Sequence, residues 1–461
     1  MADILRSRRG AGGFVARLAV LLLLSLALSV RPVLAQEMLR DAETEALLHD
    51  AAAPLMTAAG LRPGNVQIVL LQDRTINAFV AGGQIVYIQS GLIEAANNVN
   101  EVQGVIAHEL GHVTGGHVIR MAEGAKAATG IMILSLLLGA AAMAAGSGEA
   151  GAGIMAAGQQ AAMGKFLAFT RVQENSADQA GASFLIKAGI TGKGIISFFQ
   201  TLQNQEYRYA IPQKDSYGQT HPLTSERIAA LEHVLKNAPS WNNPVDPKLE
   251  ERFQLVKAKL SGYVNDPQAT FYKFPESNKS LPARYARAYA WHKKAYPDKA
   301  DAEVEELIKA RPDYPYFYEL KGQILLESGK PLDALDSLRT AVRLAPDQPL
   351  IASLFGHALI ESGKEGSMEE AKKVLRSAVA RDNDNPFAWY QLGIVYDHEG
   401  DNARASLATA ERYNLEGNAQ LAMISAEQAM RGISMGTPDW IRAQDIAMVS
   451  RTEVEKDRKK R

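Results

Sequence analysis

The sequence predicts an α+β fold: a mainly helical domain carrying a small β-sheet, followed by an all-α solenoid. Three observations carry this. An apolar-faced segment from Glu101 to His117 has helical period and contains His108-Glu109-Leu110-Gly111-His112. Short β-rich runs precede it between Val66 and Ile88. The C-terminal half repeats with an interval of 34 residues, the spacing of stacked helix pairs.

At 461 residues, 47% hydrophobic and net charge −1, the chain has room for two or three domains and no charge excess of the kind nucleic-acid binding requires. It contains no cysteine, so disulfides and thiolate metal sites are excluded and any metal must sit on His and carboxylates. The N-terminus reads as a secretory signal peptide. Arg6, Arg8, Arg9 and Arg17 precede the apolar run Leu18 to Val30, and Val33-Leu34-Ala35 offers small residues at a cleavage site before Gln36. The run is short for a bilayer span, which needs ~20 residues. An exported, cysteine-free chain suits a bacterial periplasm.

In chain order, Asp41 to Ala59 reads as a helix ending at Gly60. Val66 to Leu71 reads as a strand, and Asn77 to Ile88 as two strands turning at Gly82-Gly83. Such a hairpin either borders a cleft and pairs with an extended peptide backbone or is ordinary scaffold. Next comes the His108 helix, opened by Asn98 and Glu101 as N-cap and capping-box partner. Residues four apart on a helix lie about 40° apart, so His108 and His112 face one ion. Glu109 points away from that face, toward a metal-bound water, as a general base requires. Gly115 fits the three-histidine motif HExxHxxGxxH, but that motif needs His where Val118 stands. His117 is one residue short, about 100° out of direction, and reads as a capping residue or a support for a ligand.

Ala127 to Gly148 carries no charge and includes Ile131 to Leu138. A single span there would separate His108 from any ligand downstream, and Ala150 to Gly164, with Gln159 and Gln160, is too weakly apolar to bring the chain back. The expectation is a helical hairpin over 127–164 that covers the site, docks on a membrane surface or a partner, or packs in the core. Lys165 to Lys187 resumes helical period and carries Glu174-Asn175-Ser176-Ala177-Asp178. Glu174 and Asp178 share a face, so the first supplies a third metal ligand and the second accepts a hydrogen bond from a ligand imidazole.

Farther on, Pro239, Pro244, Pro247, Pro267, Pro275 and Pro282 mark a linker with one short helix, Leu249 to Leu260. Then Ala288, Gly322, Gly356 and Gly393 recur at 34, 34 and 37 residues, and Ala300, Ala334, Ala371 and Ala405 at 34, 37 and 34, with the extra residues in Lys364 to Met368. These are the small-residue positions of the tetratricopeptide repeat, whose concave face binds peptides or proteins. Gly417 to Met448 extends the array as capping helices.

The strand segment NAFVAGGQIVYIQSGLI, HELGH, ENSAD and His221-Pro222-Leu223-Thr224-Ser225-Glu226-Arg227-Ile228 stand in order over the first domain. Together they resemble the gluzincin metalloprotease family of the CAAX prenyl endopeptidases and their heat-shock relatives, in its soluble exported branch with tetratricopeptide repeats. The resemblance implies one zinc per chain on His108, His112 and Glu174, with Glu109 as catalytic base and Asp178 as a proton donor. On physical grounds Asp178 fits better as the acceptor that orients a ligand histidine. It also implies a zinc endopeptidase in outer-membrane protein assembly or quality control, binding unfolded or misassembled outer-membrane proteins and their assembly machinery through the repeats; the alternative is an assembly chaperone whose peptidase is mostly latent.

His221, which Pro222 biases toward extended backbone, falls near the cleft by the same resemblance. It is a candidate catalytic residue with two roles, oxyanion donor or occupant of zinc's open position, against a plain helix cap. The chain thus divides into a signal peptide (1–35), the metalloprotease domain (36–240), a linker (241–280), the repeat domain (281–450) and a charged tail (451–461).

Overall fold

The computed structural model describes residues 38–62, 64–145, 147–209 and 221–460, so the expected signal peptide lies outside the described residues. Helix α1 (Ala42–Ala58) starts where Asp41 accepts the Thr44 N–H, and Leu47, Leu48, Leu55 and Met56 bury its inner face. Strands β1 (Gln67–Leu71), β2 (Ala78–Ala81) and β3 (Ile85–Gln89) form one sheet in the order β1-β3-β2. β2 and β3 are the expected hairpin, paired antiparallel from Ala81↔Ile85 to Ala78↔Ile88. Gly82 and Gly83 turn it at φ of 61° and 92°, a region that favours glycine. β1 joins β3 in parallel, which leaves β2 as an edge.

After α2 (Ser90–Ala95), α3 (Val99–Gly115) carries the HELGH segment through the core, with Val102, Val105, Ile106 and Leu110 buried. Asn98 caps it by accepting the Glu101 N–H at 3.0 Å. The reciprocal bond differs from a capping box by one residue: the Glu101 carboxylate takes the Asn97 N–H at 2.8 Å. Gly116 closes the helix at φ 61°. Helices α4 (His117–Ala144) and α5 (Gly148–Lys187) then form a long antiparallel hairpin, and α6 (Lys193–Tyr209) and α7 (Ser225–Lys236) complete the first domain.

Residues 241–280 differ from the expected linker. They fold into a short 3₁₀ turn, α8 (Pro247–Val264) and α9 (Pro267–Lys273), and the prolines explain the misreading. Pro239, Pro247 and Pro267 occupy the first turn of a helix, where a missing N–H costs nothing and the fixed φ helps. Phe253, Val256 and Leu260 of α8 enter the same core as α3, so this helix buttresses the first domain.

Five antiparallel pairs follow: α10 (Leu281–Lys293) with α11 (Pro297–Ala310), α12 (Pro315–Glu327) with α13 (Pro331–Leu344), α14 (Pro349–Ser362) with α15 (Ser367–Arg381), α16 (Pro386–His398) with α17 (Asn402–Leu415), and α18 (Ala419–Gly432) with α19 (Pro438–Lys460). The small-residue series marks their close approaches. A Cβ on Gly322 would meet Leu338, and one on Gly356 would meet Leu375. The expected charged tail is the last turns of α19. Leu39 to Ala42 line a cavity of about 220 Å³ together with Tyr289, Glu319 and Leu350 of the repeats.

Candidate metal centre

The site is made where α3 and α5 touch. Glycines set the distance: a Cβ on Gly111 would stand 2.5 Å from the Ala177 carbonyl oxygen, and one on Gly181 about 3.0 Å from the Ala107 backbone. With both helices drawn together, His108 and His112 face Glu174 and Asp178. His108, His112, Glu174 and His221 each present one ligand atom, all within 4.8 Å of one another, and all four are buried. The expected ligands and catalytic candidates therefore stand in one place.

The contacts assign each ring a direction. His108 Nε2 and His112 Nε2 face each other at 3.1 Å, and Glu174 carboxylate oxygens lie 3.4 Å from both. Behind them, His108 Nδ1 stands 2.9 Å from Asp178 Oδ1, the place of an acceptor that fixes the tautomer and turns Nε2 toward an ion. His112 is held differently, its Nδ1 lying 3.0 Å from Nδ1 of His117. Burial and then the neighbouring His112 lower His117 to about 4, so it is neutral and accepts the His112 proton. The His117 ring lies where a side chain on Gly115 would be, which accounts for that glycine.

Arg227, on α7, is the member whose role sequence reasoning missed. Its Nε and Nη2 donate to both oxygens of Asp178 at 2.7 and 2.9 Å, and Nη1 donates to the Pro222 carbonyl at 2.6 Å and faces Glu174 at 3.1 Å. One guanidinium thus ties the His221 loop to the ligand helix. Burial by itself raises the Asp178 carboxyl, but hydrogen bonds from Arg227 and His108 outweigh it and hold it below its ordinary value. Glu174 is likewise pushed far down against its burial by His221, His108 and His112. Both are carboxylates at neutral pH.

His221 enters through a loop. Its Nδ1 faces the cluster, 3.1 and 3.2 Å from the Glu174 oxygens and 3.3 Å from His108 Nε2. Its Nε2 lies 3.2 Å from the Ala78 carbonyl oxygen of β2, so the edge strand borders the site. A proton on Nε2 satisfies that carbonyl and turns the Nδ1 lone pair toward the ligands. Glu109 is fully buried 3.5 Å from His221 Nε2, and neither of its oxygens has a hydrogen-bond partner. A buried carboxylate left so is costly unless something else comes to it. Imidazole nitrogens and a carboxylate converging beside it are the borderline donor set that zinc takes, so these residues fit such an ion.

Fold and site together define a metalloprotease domain joined to a tetratricopeptide-repeat array. Residues 15–235 match the model of peptidase family M48. Among curated proteins, the β-barrel assembly-enhancing protease of Escherichia coli K12 is 24% identical over 375 residues, 80% of this chain and 75% of its own length. A Vibrio cholerae relative of the same designation is 30% identical over 258 residues, 54% of this chain, and the match spans 52% of that relative. Among solved structures, the tetratricopeptide protein YrrB aligns with 38% of this chain and 91% of its own at 19% identity, with a TM-score of 0.31, too slight a likeness to carry an argument.

Proposed function

We propose that the chain is an exported, periplasmic zinc endopeptidase that acts in outer-membrane protein assembly or quality control. The observation that carries the chemistry is Glu109, buried and unpartnered beside a convergent ligand set. His108, His112 and Glu174 would hold one zinc, which supplies the Lewis acidity that lowers the pKa of water and polarises a peptide carbonyl. Glu109 takes the proton from the attacking water and delivers it to the leaving amine. Asp178 keeps the His108 proton on Nδ1, and Arg227 keeps Asp178 in place. Edge strand β2, bordering the site, turns the side away from β3 toward an extended substrate backbone.

The assignment to outer-membrane proteins and their assembly machinery rests on the name of the E. coli relative, and the repeats are the module that holds such partners. The signal-peptide pattern supports export. A second reading, an assembly chaperone with a mostly latent peptidase, is favoured by His221. Its Nδ1 belongs to the convergent donor set, so His221 would serve as a fourth ligand and leave no position for substrate water. The test is degradation of an unfolded outer-membrane protein by purified wild type and Glu109→Gln. Loss of the base should cut the rate by about 10²- to 10⁴-fold. Undiminished cleavage by Glu109→Gln would refute the mechanism.

A further inference from the structure

The α4–α5 hairpin is built inside out. Where a water-exposed helix pair buries its large apolar residues, this one buries small ones: Ser135 and Gly139 on α4 against Gly151, Gly158 and Ala162 on α5. The large residues face outward. Met132, Ile133, Leu134, Leu136, Leu137 and Leu138 are all exposed, Leu137 by 65%. Six exposed residues in a stretch of seven leave only Ser135 against the neighbouring helix. Small residues inside and large ones outside is the packing of helices whose solvent is hydrocarbon. The polar side chains of α4 agree: Thr129 Oγ1 donates to the Ala125 carbonyl and Ser135 Oγ to the Met132 carbonyl, so neither needs water.

Charge fits the same surroundings. The apolar stretch is bounded by exposed Lys126 on α4 and Lys165 on α5. Gly124 lies against Phe169 and Gly158 against Ser135, so the two lysines stand at nearly the same level of the hairpin. Cations at the edge of an apolar face pair with anionic headgroups. The two arms differ, because α5 exposes Gln159 and Gln160 halfway along and α4 exposes leucine there.

We propose that α4 docks in the surface of a lipid bilayer, its Leu, Ile and Met rows sunk among the acyl chains and α5 on the aqueous side. Nine residues along α5 from Lys165 is Glu174, about 14 Å at 1.5 Å per residue. Docking therefore keeps the metal centre near the membrane, where membrane-inserting substrates arrive. That consequence rests on the peptidase reading; the docking itself does not, and fluorescence reads it without any cleavage.

The experiment uses the full chain, which has no cysteine of its own, with vesicles of phosphatidylethanolamine and phosphatidylglycerol, and single cysteines placed as Leu137→Cys and Gln160→Cys that carry an environment-sensitive fluorophore. Emission at position 137 should shift to the blue and be quenched by spin-labelled acyl chains, while position 160 stays in water. A charge sunk in the acyl layer weakens partition on the order of a hundredfold, so Leu137→Asp should reduce vesicle binding through this face by about that factor. Residue 137 is exposed, so this variant should keep the wild-type melting profile. No shift at 137 would overturn docking, and equal shifts at both positions would overturn its one-sided form. Dimerisation in lipid-free buffer that Leu137→Asp abolishes, without any vesicle effect at 137, would overturn it in favour of a second copy of the chain.

Discussion

Two buried charge clusters in this molecule look alike and do different things. At the metal centre, Glu174, Asp178 and Glu109 gather around three histidines, and the cation present, Arg227, is spent on Asp178 and on one side of Glu174. At the junction of the two domains, Asp41 and Glu43 gather around Lys259, whose Nζ stands 2.5 and 3.2 Å from them. Tyr285 and Tyr314 from the repeats donate to Glu43 at 2.6 and 2.5 Å. In the second cluster a built-in ammonium and two phenols answer the charge, and the outcome is cohesion. In the first, ligand atoms converge with nothing of the protein between them and Glu109 is left unanswered. What marks the functional site is a set of imidazole and carboxylate donors converging on one point, with a buried carboxyl beside it that accepts no hydrogen bond.

The comparison can be broken at the junction. Lys259→Met leaves Asp41 and Glu43 buried without their cation and should cost about 3–5 kcal/mol in urea unfolding. Glu109→Gln, at a buried side chain whose oxygens accept no hydrogen bond, should cost almost nothing in the same assay. Equal losses would mean that the two clusters are of one kind. His221→Ala sharpens the contrast from the other side: on the proposal that the loop histidine would serve as a fourth ligand, basal proteolysis and self-cleavage should rise in this variant while zinc is kept. A large fall would instead make His221 an oxyanion donor, and no change would remove it from the site.

A smaller effect concerns Glu319, whose Oε2 is buried without a hydrogen-bond partner at the junction. Burial, helped by Asp41 and Glu43 and opposed by Lys259, pushes its carboxyl up to about 8. The folded value lies above the unfolded one, so between about 4.5 and 8 the unfolded chain releases a proton that the folded chain keeps, and stability falls as pH rises through that window. Glu319→Gln should raise the melting temperature at pH 8 and leave it nearly unchanged below pH 4.5. A gain of the same size at both would show that the carboxyl titrates alike in the folded and unfolded chain.

Much of the site was legible because its pieces are local patterns. His108 with His112 and Glu174 with Asp178 are pairs four apart on helices, and a single helical period places each pair on one face. The repeats were legible for a similar reason, as a fixed interval between small residues that the packing of Gly322 on Leu338 explains. Features made between distant segments were not. Arg227 reaches Asp178 across 49 residues and Lys259 reaches Glu43 across 216, with no sequence spacing to announce either. Prolines misled for 241–280, since Pro247 and Pro267 punctuate a chain in the same way whether they open a helix or interrupt one. Glu101 missed its expected capping partner by one residue because Asn97 offers its N–H from outside the helix.

The central claim is that the unanswered cluster holds a metal. Metal analysis of purified protein after reconstitution with zinc at neutral pH tests it most directly. The account predicts one zinc per chain in wild type and in Glu109→Gln, and its loss in His108→Ala; wild-type protein that binds no zinc under these conditions would contradict it.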